Sequence, residues 1–405
     1  MNLFKSRDYR WWFVGDTAGA SAIAIRQFAV PLAAYALSGS PALAGLLGAV
    51  QVAVATAASL PGGVLIDRHD RRRIIRGYAL AGASIWAAVG LLALSGRLTF
   101  WLFFALATIG AAFAGLFGYA TDAALRTIVD QCDYPKAMAT NEARDAGVQL
   151  AAGPLGGALY AVSLAAPFLT ALLGYATLAA STWGIKTDLT PPAFDRTSIV
   201  REIAHAWRWL WSKRRLQVML PIFAAVNVGE AGVMFTLQLA LLERGASPVQ
   251  IGTLSAVLSG SFLLGALLAG RLVQRVPTGG LAIAALMWVT LCQIPTALTD
   301  SYPIWLGAMG LGGLLLPALN AAMGGYLFAQ TPVELQGRVQ TLLGLFVGGL
   351  SALSPLAAGL LLPAVGLNPT IGAFLAILAL ATVAAALSDA VRSIPRPDRW
   401  EEAPL

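Results

Sequence analysis

Apolar residues fall in long unbroken blocks along this chain, and the charged residues between them are clustered rather than interspersed. Eight stretches carry no Asp, Glu, Lys or Arg: residues 27–66, 77–96, 98–121, 146–185, 246–270, 277–299, 301–333 and 339–388. A helix that crosses a bilayer needs about 20 mostly apolar residues, so several of these stretches hold two helices apiece. Ser38-Gly39-Ser40-Pro41, Ala165-Ala166-Pro167 and Gly366-Leu367-Asn368-Pro369 divide the three longest as turns, since Gly and Pro redirect the backbone. With 11–37 and 216–242, each interrupted by charge, the pattern predicts twelve crossings.

Composition agrees with the pattern. Of 405 residues 58% are apolar and 12% charged, against roughly 25% charged in a soluble domain, which excludes a water-soluble globule. The expected fold class is an all-α polytopic membrane protein with twelve transmembrane helices in two pseudo-symmetric six-helix bundles. The net charge of +7 is an orientation signal rather than a nucleic-acid footprint. With a cytoplasmic N-terminus, every one of the 27 Lys and Arg except Arg26, Arg97 and Arg244 falls in an inward-facing loop or a terminal segment.

That orientation implies a multi-pass protein of the cytoplasmic (inner) membrane with both termini cytoplasmic. No cleavable leader is expected, because the first apolar run continues as a full span without a small-residue cleavage site. Cys132 and Cys292 stand in different environments and imply no disulfide. Loops are short except 186–215, a segment with seven basic side chains. In it Ile199, Ile203, Ala206 and Leu210 recur at helical spacing among Trp207, Trp209, Trp211, Arg201 and Arg208, which predicts an interfacial amphipathic helix. The expected domains are therefore an N-terminal bundle (1–185), this linker (186–215), a C-terminal bundle (216–388) and a tail (389–405).

The two bundles carry a repeat. A shift of 207 places Ser40–Val50 on Ser247–Val257 with Ser, Pro, Gly, Leu, Ala and Val coinciding, and superposes Gly63 on Gly270 and Arg68 on Arg275. Farther along, a shift of 201 places Pro154-Leu155 on Pro355-Leu356. Parallel repeats imply an axis along the membrane normal, with a substrate site between the halves near mid-membrane.

The loop after the second span reads Gly62-Gly63-Val64-Leu65-Ile66-Asp67-Arg68-His69-Asp70-Arg71-Arg72-Arg73. It resembles the signature of the major facilitator superfamily, with Gly63, Asp67, Arg68, Arg71 and Arg72 in the signature places and Asp70 where the family usually has Gly. Gly153-Pro154-Leu155-Gly156-Gly157 is similar to the Gly-Pro motif of that family's exporters, although Gln149 departs from it. The loop and Ala29-Val30-Pro31 are most similar to the branch of enterobactin-type siderophore exporters and macrolide-efflux proteins. The resemblance implies a gating latch of Gly63, Asp67, Arg68 and Arg71, joined by Asp122 at the end of the fourth helix. Gly63 is expected to permit close helix approach and Asp67 to be satisfied by Arg71. Gln274 stands in the place of Asp67 in the second half, so the latch is asymmetric.

Asp16, Arg26 and Glu230 are ionisable residues inside predicted spans, a costly placement unless they face the bundle interior. Asp16 and Arg26 are ten residues apart, about 15 Å along a helix, too far to pair. The shift of 207 sets Glu230 at the level of Ile23, within a turn of Arg26. An Arg26 to Glu230 ion pair is expected, either as a proton-coupling switch or as a purely structural tie. Asn227, one turn from Glu230, and Gln27, Gln51, Gln149, Gln238 and Asn320 either line the cavity or bond neighbouring backbone. Pro154 with its glycines Gly153, Gly156 and Gly157 is the span proline expected to matter for gating.

No phosphate loop, H-E-x-x-H, C-x-x-C or G-x-S-x-G pattern occurs, so no catalytic residue, metal site or cofactor is expected and the chain is read as no enzyme. The expected function is secondary active export of an amphipathic or lipophilic small molecule, drug-like or siderophore-like, by alternating access and driven by protons. Movement of a lipid or metabolite, by flipping or uptake, is the alternative on the same scaffold. The expected partners are the substrate, protons and membrane lipids, with no nucleic acid, in a monomer.

Overall fold

A computed structural model of the protein describes residues 3–130, 132–191, 199–332 and 335–405, apart from the side chains of 135, 199–203 and 337. Regular structure among these residues is all helical. The first half holds α1 (Arg7–Ser38), α2 (Pro41–Arg68), α3 (Arg71–Leu94), α4 (Phe100–Phe117), α5 (Ala120–Ile128), α6 (Tyr134–Val162) and α7 (Ala166–Gly184). There follow α8 (Ile199–Ser212), α9 (Arg214–Glu243), α10 (Pro248–Arg275), α11 (Thr278–Leu298), α12 (Tyr302–Gly312) and α13 (Leu316–Gln330). The chain ends with α14 (Gln336–Ser351), α15 (Leu353–Val365), α16 (Leu367–Leu387) and the short α17 (Asp389–Arg392).

Ten helical rods among the described residues are long and apolar enough to cross a membrane, with α4–α5, α12–α13 and α14–α15 each counted as one bent rod. The more polar α6 and α7 complete the twelve crossings. Local chemistry sets the turns. Gly39 ends α1 at φ +64°, a left-handed conformation that costs glycine nothing, and Ser40 caps α2 by accepting from the Leu43 N–H. Gly366, also at a positive φ of +86° but with an extended ψ, separates α15 from α16.

The chain divides into two compact units, Met1–Arg196 with Leu242–Ala256, and Thr197–Leu241 with Val257–Leu405. In the first, α1 packs on α6 and α7, α2 on α4, and α3 on α4 and α7. The α2 and α4 backbones cross in contact: a Cβ on Gly62 would lie 2.2 Å from the Leu116 carbonyl oxygen, and one on Gly115 equally close to that of Ala55. Gly62 therefore makes the close approach expected of Gly63, around which space is open. Adjacent residues point about 100° apart on a helix, and only Gly62 faces α4. In the second unit α11 packs on α12, α13 and α16. The linker helix α8 rests on α14, with Ala206 and Leu210 buried, Trp207 and Arg208 exposed, and Trp211 edge-on to Phe346. Ile199, Arg201 and Ile203, also named for its amphipathic faces, lie outside the described side chains, as does the stretch 192–198.

Each unit closes with the same backbone clasp. In the first, the segment after α7 docks on the start of α3: the Arg71 N–H donates to the Leu189 carbonyl at 3.4 Å, and the Arg72 guanidinium to that of Thr187 at 2.6 Å. In the second, the segment after α17 docks on the start of α11, where Thr278 and Gly279 donate to Pro395 and Ile394. Thr278 is the repeat mate of Arg71 under the shift of 207. The C-terminal end continues this clasp. Trp400 donates from Nε1 to Thr278 Oγ1 at 3.0 Å and lies edge-on to Tyr326, whose hydroxyl donates to the Ala403 carbonyl.

Replacing Trp400 with Ala should speed hydrogen exchange at the Thr278 and Gly279 amides, measured by mass spectrometry, whereas Arg399→Ala, which removes only an exposed ion pair, should leave them unchanged. Asp70, the departure from the signature, is the N-cap of α3 and accepts from the Arg72 N–H at 2.9 Å. Asp70→Ala should cost about 1 kcal/mol of stability, read as a lower melting temperature in detergent, and Asp70→Asn should restore most of it.

Candidate functional site

The fifth crossing departs most from the sequence expectation. Its helix, α6, begins at Tyr134 rather than 146, which carries Arg144 and Asp145 into the packed part of the unit. Arg144 donates from Nη1 to Asp16 Oδ2 on α1 at 2.5 Å, with the two side chains only 9% and 10% exposed. It also donates to Asp145 and lies over the Phe13 ring. A charge marks a helix end in lipid only while it is unpaired; here Asp16 neutralises the guanidinium and the helix runs on. Sequence reasoning missed Arg144, although an Asp16 without a partner on its own helix was the signal for it. Beside this pair lies a cleft of about 280 Å³ lined by Ser21, Ile25, Arg144, Val148, Ala151 and Leu155 among others.

Arg26 is buried on α1 against α3 and α7. Its Nε donates to the Tyr175 hydroxyl at 3.4 Å, that hydroxyl is 3.3 Å from the hydroxyl of Tyr78, and the guanidinium stands 5.2 Å from the Trp86 ring centre. Trp86 is stacked on Phe168, and Tyr175 occupies the space that a Cβ on Gly82 would need. No carboxylate accepts from Arg26 among the described residues of this unit.

Glu230 is half-buried on α9 of the second unit, where both its oxygens accept from Gln293 Nε2 on α11 at 3.0 Å. Gln293 itself is buried. Arg26 and Glu230 thus each have partners within their own unit. Aromatic faces and phenolic oxygens stabilise the cation, and an amide satisfies the carboxylate. The two arrangements share one position of the repeat. Gln293 is the mate of Trp86 under the shift of 207, so in each half the ionised residue of the leading helix is held by the same position two crossings later. Trp86 and Gln293 went unread because an aromatic or a single amide in an apolar run announces no partner.

The signature loop is arranged differently from the expected latch. Arg71 donates from Nη1 to Thr127 Oγ1 on α5 at 2.9 Å rather than to Asp67, and Asp67, Arg68 and Asp122 are exposed. A hydroxyl on α5 thus receives the loop's guanidinium, while Trp12 ties α1 to that helix by donating to the Thr121 carbonyl. In α6, Gly153 and Gly157 meet backbone: a Cβ on them would lie 2.3 and 2.5 Å from the carbonyl oxygens of Gly252 and Pro248 at the start of α10. Gly156 faces the Phe28 ring, and Pro154 is half-buried between these contacts.

Of the weaker polar residues, Gln51 donates to the Ala107 carbonyl and Asn227 to that of Phe223 in its own helix. Gln27, Gln149 and Asn320 are exposed, and Gln238 is half-buried. No cluster of three or more His, Cys, Asp or Glu placed to hold a metal occurs among the described residues.

The sequence pattern of the Major Facilitator Superfamily matches residues 17–243 and again 219–405. The chain belongs to that superfamily. It is a membrane transporter of the major facilitator type, and its fold is shared with solved structures at low identity. One is a bacterial homologue of the iron transporter ferroportin in an inward-facing state, 15% identical, with TM-score 0.73 over 95% of this chain and 99% of that one. A mutant of the nucleoside transporter NupG is 13% identical, with TM-score 0.73 over 94% and 98%. A bacterial homologue of the human lysosomal transporter Spinster, inward-facing and unoccupied, is 15% identical, with TM-score 0.69 over 96% and 98%. No curated protein sequence matches the chain.

For this transporter the buried Asp16–Arg144 bond predicts a strongly non-additive double-mutant cycle. Asp16→Asn or Arg144→Gln alone should each cost about 3–5 kcal/mol, because each strands a buried charge. The double variant should cost clearly less than their sum, measured by denaturation in mixed micelles.

Proposed function

We propose that this chain is a secondary active exporter that carries an amphipathic or lipophilic small molecule across the cytoplasmic membrane by alternating access, driven by protons. The single observation behind this reading is Glu230, an ionisable carboxyl in a membrane-spanning helix whose partner is the neutral amide of Gln293 rather than a cation. A carboxylate placed this way gains no ion pair that would fix its charge, so it takes up and releases a proton as its surroundings change between the two sides. Export is supported by the likeness of the signature loop and of the Gly153-Pro154-Leu155-Gly156-Gly157 segment to the superfamily's exporters. The proton takes the place that ATP occupies in primary pumps, and no group on the chain is needed for bond-making chemistry.

In this reading both termini are cytoplasmic, the protein acts as a monomer in contact with lipid, and its working parts are the bundles 1–185 and 216–388, the linker 186–215 and the tail 389–405. Gly63, Asp67, Arg68, Arg71 and Asp122 bias the conformational equilibrium from the loop.

The test is flux in proteoliposomes of a panel of dyes, macrolides and catechol siderophores, with and without an imposed pH gradient. Wild-type protein should move at least one of them faster when protons run down their gradient. Glu230→Gln should lose that acceleration, by about tenfold or more, while substrate exchange at equal pH continues. Equal acceleration in wild type and the variant would refute the coupling role.

A further inference from the structure

The partner that Arg26 lacks points to the chemistry of the cargo. Tyr175 and Tyr78 contribute neutral phenols, Trp86 contributes a ring face, and the buried acidic residue of the same helix, Asp16, is engaged by Arg144. These groups occupy only part of the guanidinium. Trp86 takes a face and Tyr175 takes Nε, while the two terminal nitrogens make no hydrogen bond to a described residue. That edge of an arginine is the one that receives two oxygens of a planar anion side by side. The rings are held in place independently of any ligand, Tyr175 against Gly82 and Trp86 between Phe168 and Gly110. The site is thus a preformed cage around a cation short of a counter-ion, and a guanidinium in a membrane interior is costly until it has one.

We propose that the Arg26 cage binds the anionic group of the transported molecule, so that the cargo is an amphipathic organic anion, a carboxylate or sulfonate. The anion lies in the guanidinium plane on its terminal nitrogens. A neutral molecule of the same shape leaves the cation unpaired; an amine adds repulsion. This assignment rests on the carrier reading above and narrows it, with binding separable from proton coupling.

The experiment measures equilibrium binding of radiolabelled 2-naphthoate and 2-naphthamide, which differ in charge and barely in shape, to purified full-length protein in phosphatidylcholine nanodiscs. Wild type should prefer the acid by about tenfold or more. Arg26→Gln should bind both equally, and Arg26→Lys should keep a reduced preference, since a point charge replaces the planar fork. Tyr175→Phe, which keeps the ring and the cation, covers the case in which Arg26→Gln fails to fold, and should retain the acid preference with weaker binding. Equal affinity of wild type for acid and amide, no binding of naphthoate at millimolar concentration, or an acid preference that survives in Arg26→Gln would each overturn the proposal. So would displacement of naphthoate by phosphatidylglycerol in the disc, which would assign the cage to a lipid headgroup. Loss of acid preference in Arg26→Gln with Glu230→Gln unaffected would uphold anion capture even if proton-driven flux is never seen. The converse pattern would uphold coupling alone.

Discussion

Ionised groups inside hydrocarbon must be compensated by the protein itself, and this requirement shapes the chain more than any other. Four groups meet it in three ways. Asp16 and Arg144 neutralise each other across α1 and α6. Arg26 is surrounded by aromatic rings and phenols. Glu230 receives an amide. The first solution is electrically complete and suits a fixed joint. The other two leave a net charge that the neutral partners do not cancel.

The repeat gives these solutions a common plan. One position, two crossings after the leading helix of each half, carries Trp86 against Arg26 and Gln293 against Glu230, while the charged residues themselves stand about one turn apart in the repeat. The backbone clasps follow the same plan. Leu189 and Pro395 accept from Arg71 and Thr278 at corresponding places, yet the first clasp adds a guanidinium where the second adds Trp400. Hydrogen bonds between backbone groups survive such divergence because they do not depend on the side chain.

Close packing between crossings comes from backbone contact. In a membrane the lipid tails are as apolar as the helices, so association depends on fit, and small residues let carbonyls approach. Gly62 with Gly115, and Gly153 with Gly252, bring helices together where any side chain would collide. The Gly-Pro segment of α6 is built into such a seam, with Pro154 between its two backbone contacts.

The number of crossings, the turns between them and the duplication were legible along the chain. A run of some twenty apolar residues without charge has one stable setting, and the spacing of Gly and Pro reports the turns locally. The candidate charges were legible too, since an Asp, Arg or Glu inside such a run stands out. Their partners were not. Asp16 meets a residue 128 positions away and Arg26 one 149 positions away, and which faces of two helices come together is decided by packing among all of them. The start of α6 was misplaced for the same reason: Arg144 looks like the end of a span until Asp16 is beside it. What a residue is could be read in one dimension, but whether its charge is cancelled, shared or left open depends on neighbours that only the folded chain provides.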